Sequence, residues 1–327
     1  MALYLVTGAA GFIGSKVTEF LLKDGHQVVG IDNLNSYYDV NLKKNRLVPL
    51  LKNSNFIFHK IDIEDAREVE KLFSENHLFE AVLNIAAMAG VRYSIQAPMR
   101  YINTNVGGTL NLLECCKKYQ INKFVLSSTS SLYAGQSLPF QEDLPVNTPI
   151  SPYAASKKAA EVLTYPYHDL FGLDVTILRY FTVYGPAGRP DMSIFRFIKW
   201  IDEGRPLLLF GDGTQSRDFT FIDDIAKGTI AALQPVGYEI INLGSDDPHT
   251  VNEAIGIIEE YLGKKARIEP REFEKTDMKS TWANIEKAKK ILEWKPDVPF
   301  QEGLKWTVDW YLENKSWIST LKIDDTG

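Results

Sequence analysis

Ala2-Leu-Tyr-Leu-Val6-Thr7-Gly8-Ala-Ala-Gly11-Phe12-Ile13-Gly14 sets a short apolar run directly against three closely spaced glycines. Such a run reads as a strand buried on both faces. A helical pattern follows to about Leu22, Asp24-Gly25 ends it, and Gln27-Val-Val-Gly-Ile-Asp32 reads as a second strand. In a strand–turn–helix–strand unit each glycine has a physical task. One permits the tight turn, the next lets the backbone approach a pyrophosphate, and the last allows close helix–strand packing. The helix start then offers amide donors and the positive end of its dipole to phosphates. Gly8, Gly11, Phe12, Ile13 and Gly14 are therefore the expected dinucleotide loop. Asp32 and Asn33 follow at the end of the second strand. A carboxylate there accepts from adenosine ribose hydroxyls and repels a 2′-phosphate, which favours NAD over NADP.

The alternation continues outward. Phe56-Ile-Phe-His-Lys-Ile61, Ala81-Val-Leu-Asn-Ile85 and Lys123-Phe-Val-Leu-Ser127 read as strands, with helices from about Asp65 and over 105–119. This predicts an α/β fold, a Rossmann-type doubly wound parallel sheet, with a smaller C-terminal substrate-binding lobe. Residues 1–190 form the expected NAD-binding domain and 191–327 mainly the lobe, with some chain returning to the first domain. Asp62 and Ile63 fall at a strand end where an adenine edge can be read, and Ala86 and Ala87 are small enough for close cofactor approach.

Composition narrows the function classes. The chain has 327 residues, 45% hydrophobic and 24% charged, which is ordinary for a globular protein with a large core. A net charge of -6 gives no basic footprint for nucleic acid or an anionic membrane. The two cysteines, Cys115 and Cys116, are adjacent in a helical pattern and read as packing residues of a reducing compartment. With a strand beginning by Leu3 and no apolar run near membrane-spanning length, a soluble cytoplasmic protein is expected.

Ser-Pro-Tyr153-Ala-Ala-Ser-Lys157 supplies candidate chemistry. Positions i and i+4 share one helix face, so an ammonium lies beside a phenol and favours its ionised form. The strand ending at Ser127 runs into Ser128-Thr129-Ser130-Ser131-Leu-Tyr133, a hydroxyl cluster beyond the carboxyl end of a parallel strand, where ligands bind. Thr129 and Ser130 are read as functional, while Ser127 and Ser128 are read as mainly structural.

Taken together, Gly-x-x-Gly-x-x-Gly, Asn-Ile-Ala-Ala, Ser-Ser-Thr, Tyr-x-x-x-Lys and Arg179-Tyr-Phe-Thr-Val-Tyr-Gly185-Pro resemble the extended short-chain dehydrogenase/reductase family over nearly the whole chain. Within that family the resemblance is to nucleotide-sugar 4-epimerases of the UDP-glucuronate group. It rests on Asp32-Asn-Leu-Asn-Ser-Tyr-Tyr-Asp39, Ala89-Gly-Val-Arg92-Tyr-Ser and Gly188-Arg189-Pro-Asp191-Met192. The resemblance implies C4 epimerisation of UDP-glucuronate to UDP-galacturonate through a transient 4-keto sugar, with tightly held NAD. It makes Tyr153 the base, Lys157 its partner and a nicotinamide-ribose ligand, and Thr129 the group steadying the C4 oxygen. Ser131 stands where related decarboxylases and 4,6-dehydratases carry an acidic residue. For the substrate it implies Ser130 and Ser131, Arg189 as a carboxylate clamp, Arg217 and Arg271 on the diphosphate, and Phe210 and Phe195 near the uracil. A homodimer through helices over 100–119 and 152–171 is also implied. A 4-epimerase for UDP-glucose or UDP-N-acetylglucosamine, a decarboxylase, and a non-catalytic NAD sensor are the competing readings. The Tyr153–Lys157 pair with Thr129 argues against the last.

Overall fold

The computed structural model describes residues 1–75, 78–273 and 277–321. Six strands follow one another through the first half: β1 (Leu3–Thr7), β2 (Gln27–Ile31), β3 (Phe56–His59), β4 (Ala81–Asn84), β5 (Lys123–Thr129) and β6 (Asp174–Tyr180). Then come β7 (Thr182–Tyr184), β8 (Pro206–Phe210), β9 (Ser216–Phe221), β10 (Tyr238–Leu243), β11 (Pro248–Thr250) and β12 (Arg267–Arg271). The large sheet runs β3-β2-β1-β4-β5-β6-β10, with every neighbouring pair parallel. The order reverses between β1 and β4, and at such a switch point crossover helices leave opposite faces and open a crevice. β10 reaches this sheet from the second half of the chain.

The strands are apolar nearly throughout because both faces are covered. Val6, Leu83 and Val125 pack on one side with the helix α1 (Phe12–Lys23), while Leu5, Val82 and Leu126 pack on the other under helices Ala66–Glu75 and Thr109–Tyr119. A third core, including Ile198, Phe219, Ile258 and Leu304, belongs to the lobe. There β11-β9-β7 form a small sheet and β12 pairs with β8. Each such large apolar side chain contributes about 1.5–3 kcal/mol on burial.

Two boundaries differ from expectation. β5 runs on to Thr129 with all seven residues buried, because Ser127, Ser128 and Thr129 stay in register with Leu178, Arg179 and Tyr180. The helix expected over 105–119 begins as a π-helical turn, Ile102–Gly108, before the α-helix Thr109–Tyr119. Cys115 and Cys116 are both buried, free thiols, and burial pushes Cys115 up to about 11.

Candidate active site

The glycine loop leaves the end of β1. Gly8 has φ +70, and a Cβ there would lie 2.9 Å from the Ala86 backbone. A Cβ on Gly14 would come within 2.1 Å of the Gly8 carbonyl, so the loop closes tightly only with glycine. Gly11 N–H donates to the Gly8 carbonyl at 2.8 Å, and α1 starts at Phe12, with Phe12, Ile13 and Gly14 of its first turn lining the cleft. At the end of β2, Asp32 Oδ1 accepts from the Leu34 amide at 2.8 Å and lies 3.7 Å from Lys43 Nζ. Its other oxygen makes no protein hydrogen bond among the described residues. Asn33 donates to Asp62 at 2.8 Å, tying the ends of β2 and β3 together.

These groups, with Ile63, Ala86 and Ala87, line one cleft of about 350 Å³ that continues to Thr129, Tyr153 and Lys157. Asn105, in the π-helical turn, holds its wall: it accepts from Met88 N–H at 2.8 Å and donates to Met88 O at 3.0 Å and Ser156 Oγ at 2.9 Å. A pyrophosphate-sized backbone cradle, an acceptor carboxylate and small wall residues fit a dinucleotide, and no cluster of metal-ligating side chains occurs among the described residues.

Tyr153 and Lys157 lie one turn apart on the helix Pro152–Phe171, which Ser151 caps by accepting from Ala154 N–H at 3.1 Å. Burial raises the Tyr153 phenol, while the Thr129 hydroxyl and the Arg189 charge pull it down. Arg189 is thus a cation acting on the phenol that sequence reading did not assign there. Lys157 is itself lowered to about 8 by burial, with the Glu161 carboxylate opposing, and its Nζ reaches Ser127 Oγ at 3.5 Å. Thr129 Oγ1 donates to Ser131 Oγ at 3.1 Å and accepts from Ser131 N–H at 3.1 Å.

Behind this pair sits a network that sequence reading missed. Glu161, one more turn along the helix, accepts from Nε and Nη2 of the fully buried Arg179, each at 2.9 Å, and from Ser128 Oγ at 2.6 Å. Arg179 also donates to Tyr133 at 2.8 Å. The signal was in the sequence, since Glu161 repeats the i+4 step from Lys157 and Arg179 sits within an apolar strand.

A second cleft of about 350 Å³ adjoins the first and shares Ser130, Ser131 and Thr182 with it. Phe210 and Arg217 line it. Burial lowers the Arg217 guanidinium against the pull of Asp277, and its hydrogen bonds run to the Ser216 and Lys279 carbonyls. Arg92, which sequence reading gave no role, lies over the Phe210 ring at 4.1 Å and donates to Asp277 at 3.0 Å. The sequence could not pair them, because 185 residues separate the two. Residues 274–276, just before Asp277, lie outside the described residues.

Three expectations change. Arg189 does line the first cleft, but its Nε and Nη2 are engaged by Asp191, so the fork expected to clamp a substrate is already occupied. Phe195 is buried in the lobe core beside Tyr311 rather than in the cleft with Phe210, because helix Ser193–Asp202 turns it inward. Arg271 lies on the exposed strand β12, paired with Glu269 and outside both clefts.

A family model described as GDP-mannose 4,6 dehydratase matches residues 5–307. A UDP-glucuronate 4-epimerase of Thermodesulfobacterium geofontis is 58% identical over 324 residues, 99% of this chain and 100% of its own. Among solved structures, a UDP-glucuronic acid 4-epimerase from Bacillus cereus in complex with UDP-glucuronic acid and NAD superposes with TM-score 0.90 at 40% identity, covering 95% of this chain and 99% of that one. A UDP-glucose 4-epimerase from Thermotoga maritima with UDP-glucose gives TM-score 0.87 at 33% identity, covering 96% of this chain and 99% of that one. The chain belongs to the GDP-mannose 4,6-dehydratase family of extended short-chain dehydrogenase/reductases.

Proposed function

We propose that the protein catalyses the NAD-dependent C4 epimerisation of UDP-glucuronate to UDP-galacturonate. The observation that carries this reading is that Thr129, Tyr153 and Lys157 stand where the cofactor cleft meets the cleft containing Arg217. A sugar held there by its diphosphate would present C4 to the phenol of Tyr153. Tyr153 takes the proton of the C4 hydroxyl, and Thr129 holds the oxygen as the ketone forms. NAD, when bound, would supply reversible hydride chemistry at C4. Lys157 keeps positive charge beneath the phenol, and Tyr153 returns the proton after the ketone has turned over. Arg217 and Arg92 face Asp277 as two guanidinium groups against one carboxylate, a net positive environment suited to a diphosphate.

With Arg189 held by Asp191, the substrate carboxylate is received by the hydroxyls of Ser130, Ser131 and Thr182, which line both clefts. Ser131 provides no carboxylate acid/base for decarboxylation or dehydration. In this assignment residues 1–190 carry the cofactor and 191–327 mainly the sugar nucleotide, with β10 returned to the large sheet. The protein acts as a homodimer in the cytoplasm. Exposed apolar side chains on the outer helices, among them Met99, Val162, Tyr165 and Leu170, support a second copy covering that face, and among the described residues no helix is long and apolar enough to cross a membrane. Light scattering on a sizing column tests the dimer.

Proton NMR of the protein with UDP-glucuronate and no added NAD tests the activity. An axial C4 hydroxyl with the carboxylate retained is expected. A pentose product, or conversion of UDP-glucose alone, would overturn the substrate assignment.

A further inference from the structure

Three segments far apart in sequence meet beside the cofactor cleft, and the contacts among them have no part in the chemistry above. The helix α2 (Val40–Leu50) carries Arg46, which is only 5% exposed. Its Nε and Nη2 donate to the Ala187 carbonyl at 2.9 and 2.7 Å, and Nη2 also reaches Gly188 O at 3.2 Å. Its Nη1 donates to Ala10 O in the glycine loop at 3.3 Å and to Tyr38 Oη at 2.6 Å. Each of these bonds goes to a carbonyl or phenol oxygen rather than to a carboxylate. A buried guanidinium satisfied in this way costs desolvation without an opposite charge to offset it. Ala187 is held at φ +56, a left-handed conformation that alanine adopts at a cost, with its carbonyl aimed at this guanidinium.

The second tie is Tyr37, whose hydroxyl donates to Asp191 Oδ2 at 3.1 Å. Asp191 in turn holds Arg189. The Tyr37 hydroxyl lies so close to Gly90 that a Cβ there would sit 2.4 Å away, so the loop after β4 makes room for it. The segment 185–192 follows β7, whose start borders the catalytic end of the cleft, while α2 and Tyr37 follow Asp32 at the adenosine end. Arg46 and Tyr37 therefore bind one wall of the cleft to the other at two points.

We infer that Arg46 and Tyr37 are positioning residues that fasten segment 185–192 across the cofactor cleft and thereby set how slowly NAD leaves. The inference rests on the epimerase reading, in which NAD is restored in every cycle and release leaves a chain idle until it is reloaded. A dinucleotide spanning the cleft exchanges only when the two walls part.

The test follows the release of bound NAD from the purified holoenzyme under a chase of 1,N6-etheno-NAD, read by fluorescence. Tyr37→Phe, which keeps the ring and removes one hydrogen bond to a carboxylate, is expected to release NAD roughly tenfold faster. Arg46→Lys, which cannot span Ala10 and Ala187 together, is expected to release it faster still. Val308→Ala, a core deletion in the lobe, lowers Tm and is expected to leave the release rate unchanged. Wild-type release from a folded Tyr37→Phe protein would overturn the inference, as would equal acceleration by Val308→Ala. If Arg46→Lys does not fold, Tyr37→Phe decides alone. Wild-type protein isolated free of NAD that epimerises once NAD is added would also sink it while leaving the epimerase reading intact. Protein that holds NAD through these ties but converts no sugar nucleotide would do the reverse.

Discussion

The catalytic floor and the sugar-nucleotide cleft are built in opposite ways. Tyr153, Lys157 and Glu161 succeed one another at single-turn intervals on one helix, against the ends of β5 and β6. Their geometry follows from helical spacing and strand register. The second cleft is assembled from Arg92 after β4, Phe210 and Arg217 around β8 and β9, and Asp277 beyond β12, so that only the finished fold defines it. Chemistry here is placed by local regularity and recognition by long-range closure. Substitutions in the floor should therefore damage turnover or folding, and substitutions in the second cleft should damage substrate affinity.

The largest expected effect is Tyr153→Phe. Removing the proton acceptor should lower kcat by about 10²–10⁴-fold, with KM for UDP-glucuronate nearly unchanged. A large rise in KM with kcat preserved would break the comparison at its strongest point. Next is Glu161→Gln, which leaves Arg179 charged and buried without its carboxylate. Losing one partner of a buried pair costs about 3–5 kcal/mol, and urea unfolding should show it. An unchanged urea midpoint would mean the network is dispensable. In the second cleft, Arg217→Ala should raise KM by roughly ten- to a hundredfold while kcat at saturation stays close to wild type, a split that steady-state kinetics reads directly.

Lys157 sharpens the contrast through pH. Its ammonium is lowered from 10.5 to about 8 by burial, so the unfolded chain binds the extra proton between those values. Stability should therefore rise with pH across that window, and the burial penalty is fully present below about 8. NAD-stripped Lys157→Met should be inactive yet more stable than NAD-stripped wild type at pH 7. The difference should shrink as pH rises towards 10.5, as denaturant titrations at several pH values can show. Equal stability at pH 7 would mean that Lys157 is not strained by its site. The smallest effect belongs to Arg271→Ala. Being exposed and paired with Glu269, Arg271 should leave KM within about twofold of wild type, since surface pairs contribute about 0–1 kcal/mol.

The same division explains what could be read in advance. The parallel sheet, the glycine loop, Asp32 and the Tyr153–Lys157 pair are written in short-range spacing, and each was legible. Ser128 and Glu161 were harder, because a serine at a strand end reads equally well as a turn cap. Arg92 and Asp277 carry no mutual signal in sequence. Arg189 misled for a related reason: its residue type suits a carboxylate clamp, but Asp191, two positions on, is the carboxylate it holds. Phe195 and Arg271 were assigned by residue type, whereas the orientation of a helix and the exposure of a strand place them elsewhere.

The central claim is that one hydrogen leaves C4 and returns to the opposite face of the same sugar without meeting solvent. UDP-glucuronate carrying deuterium at C4, turned over in ordinary water and followed by NMR, tests this directly. UDP-galacturonate with deuterium retained at C4 and the carboxylate intact is the expected product. Protium at C4 of the product, or a pentose in its place, would contradict it.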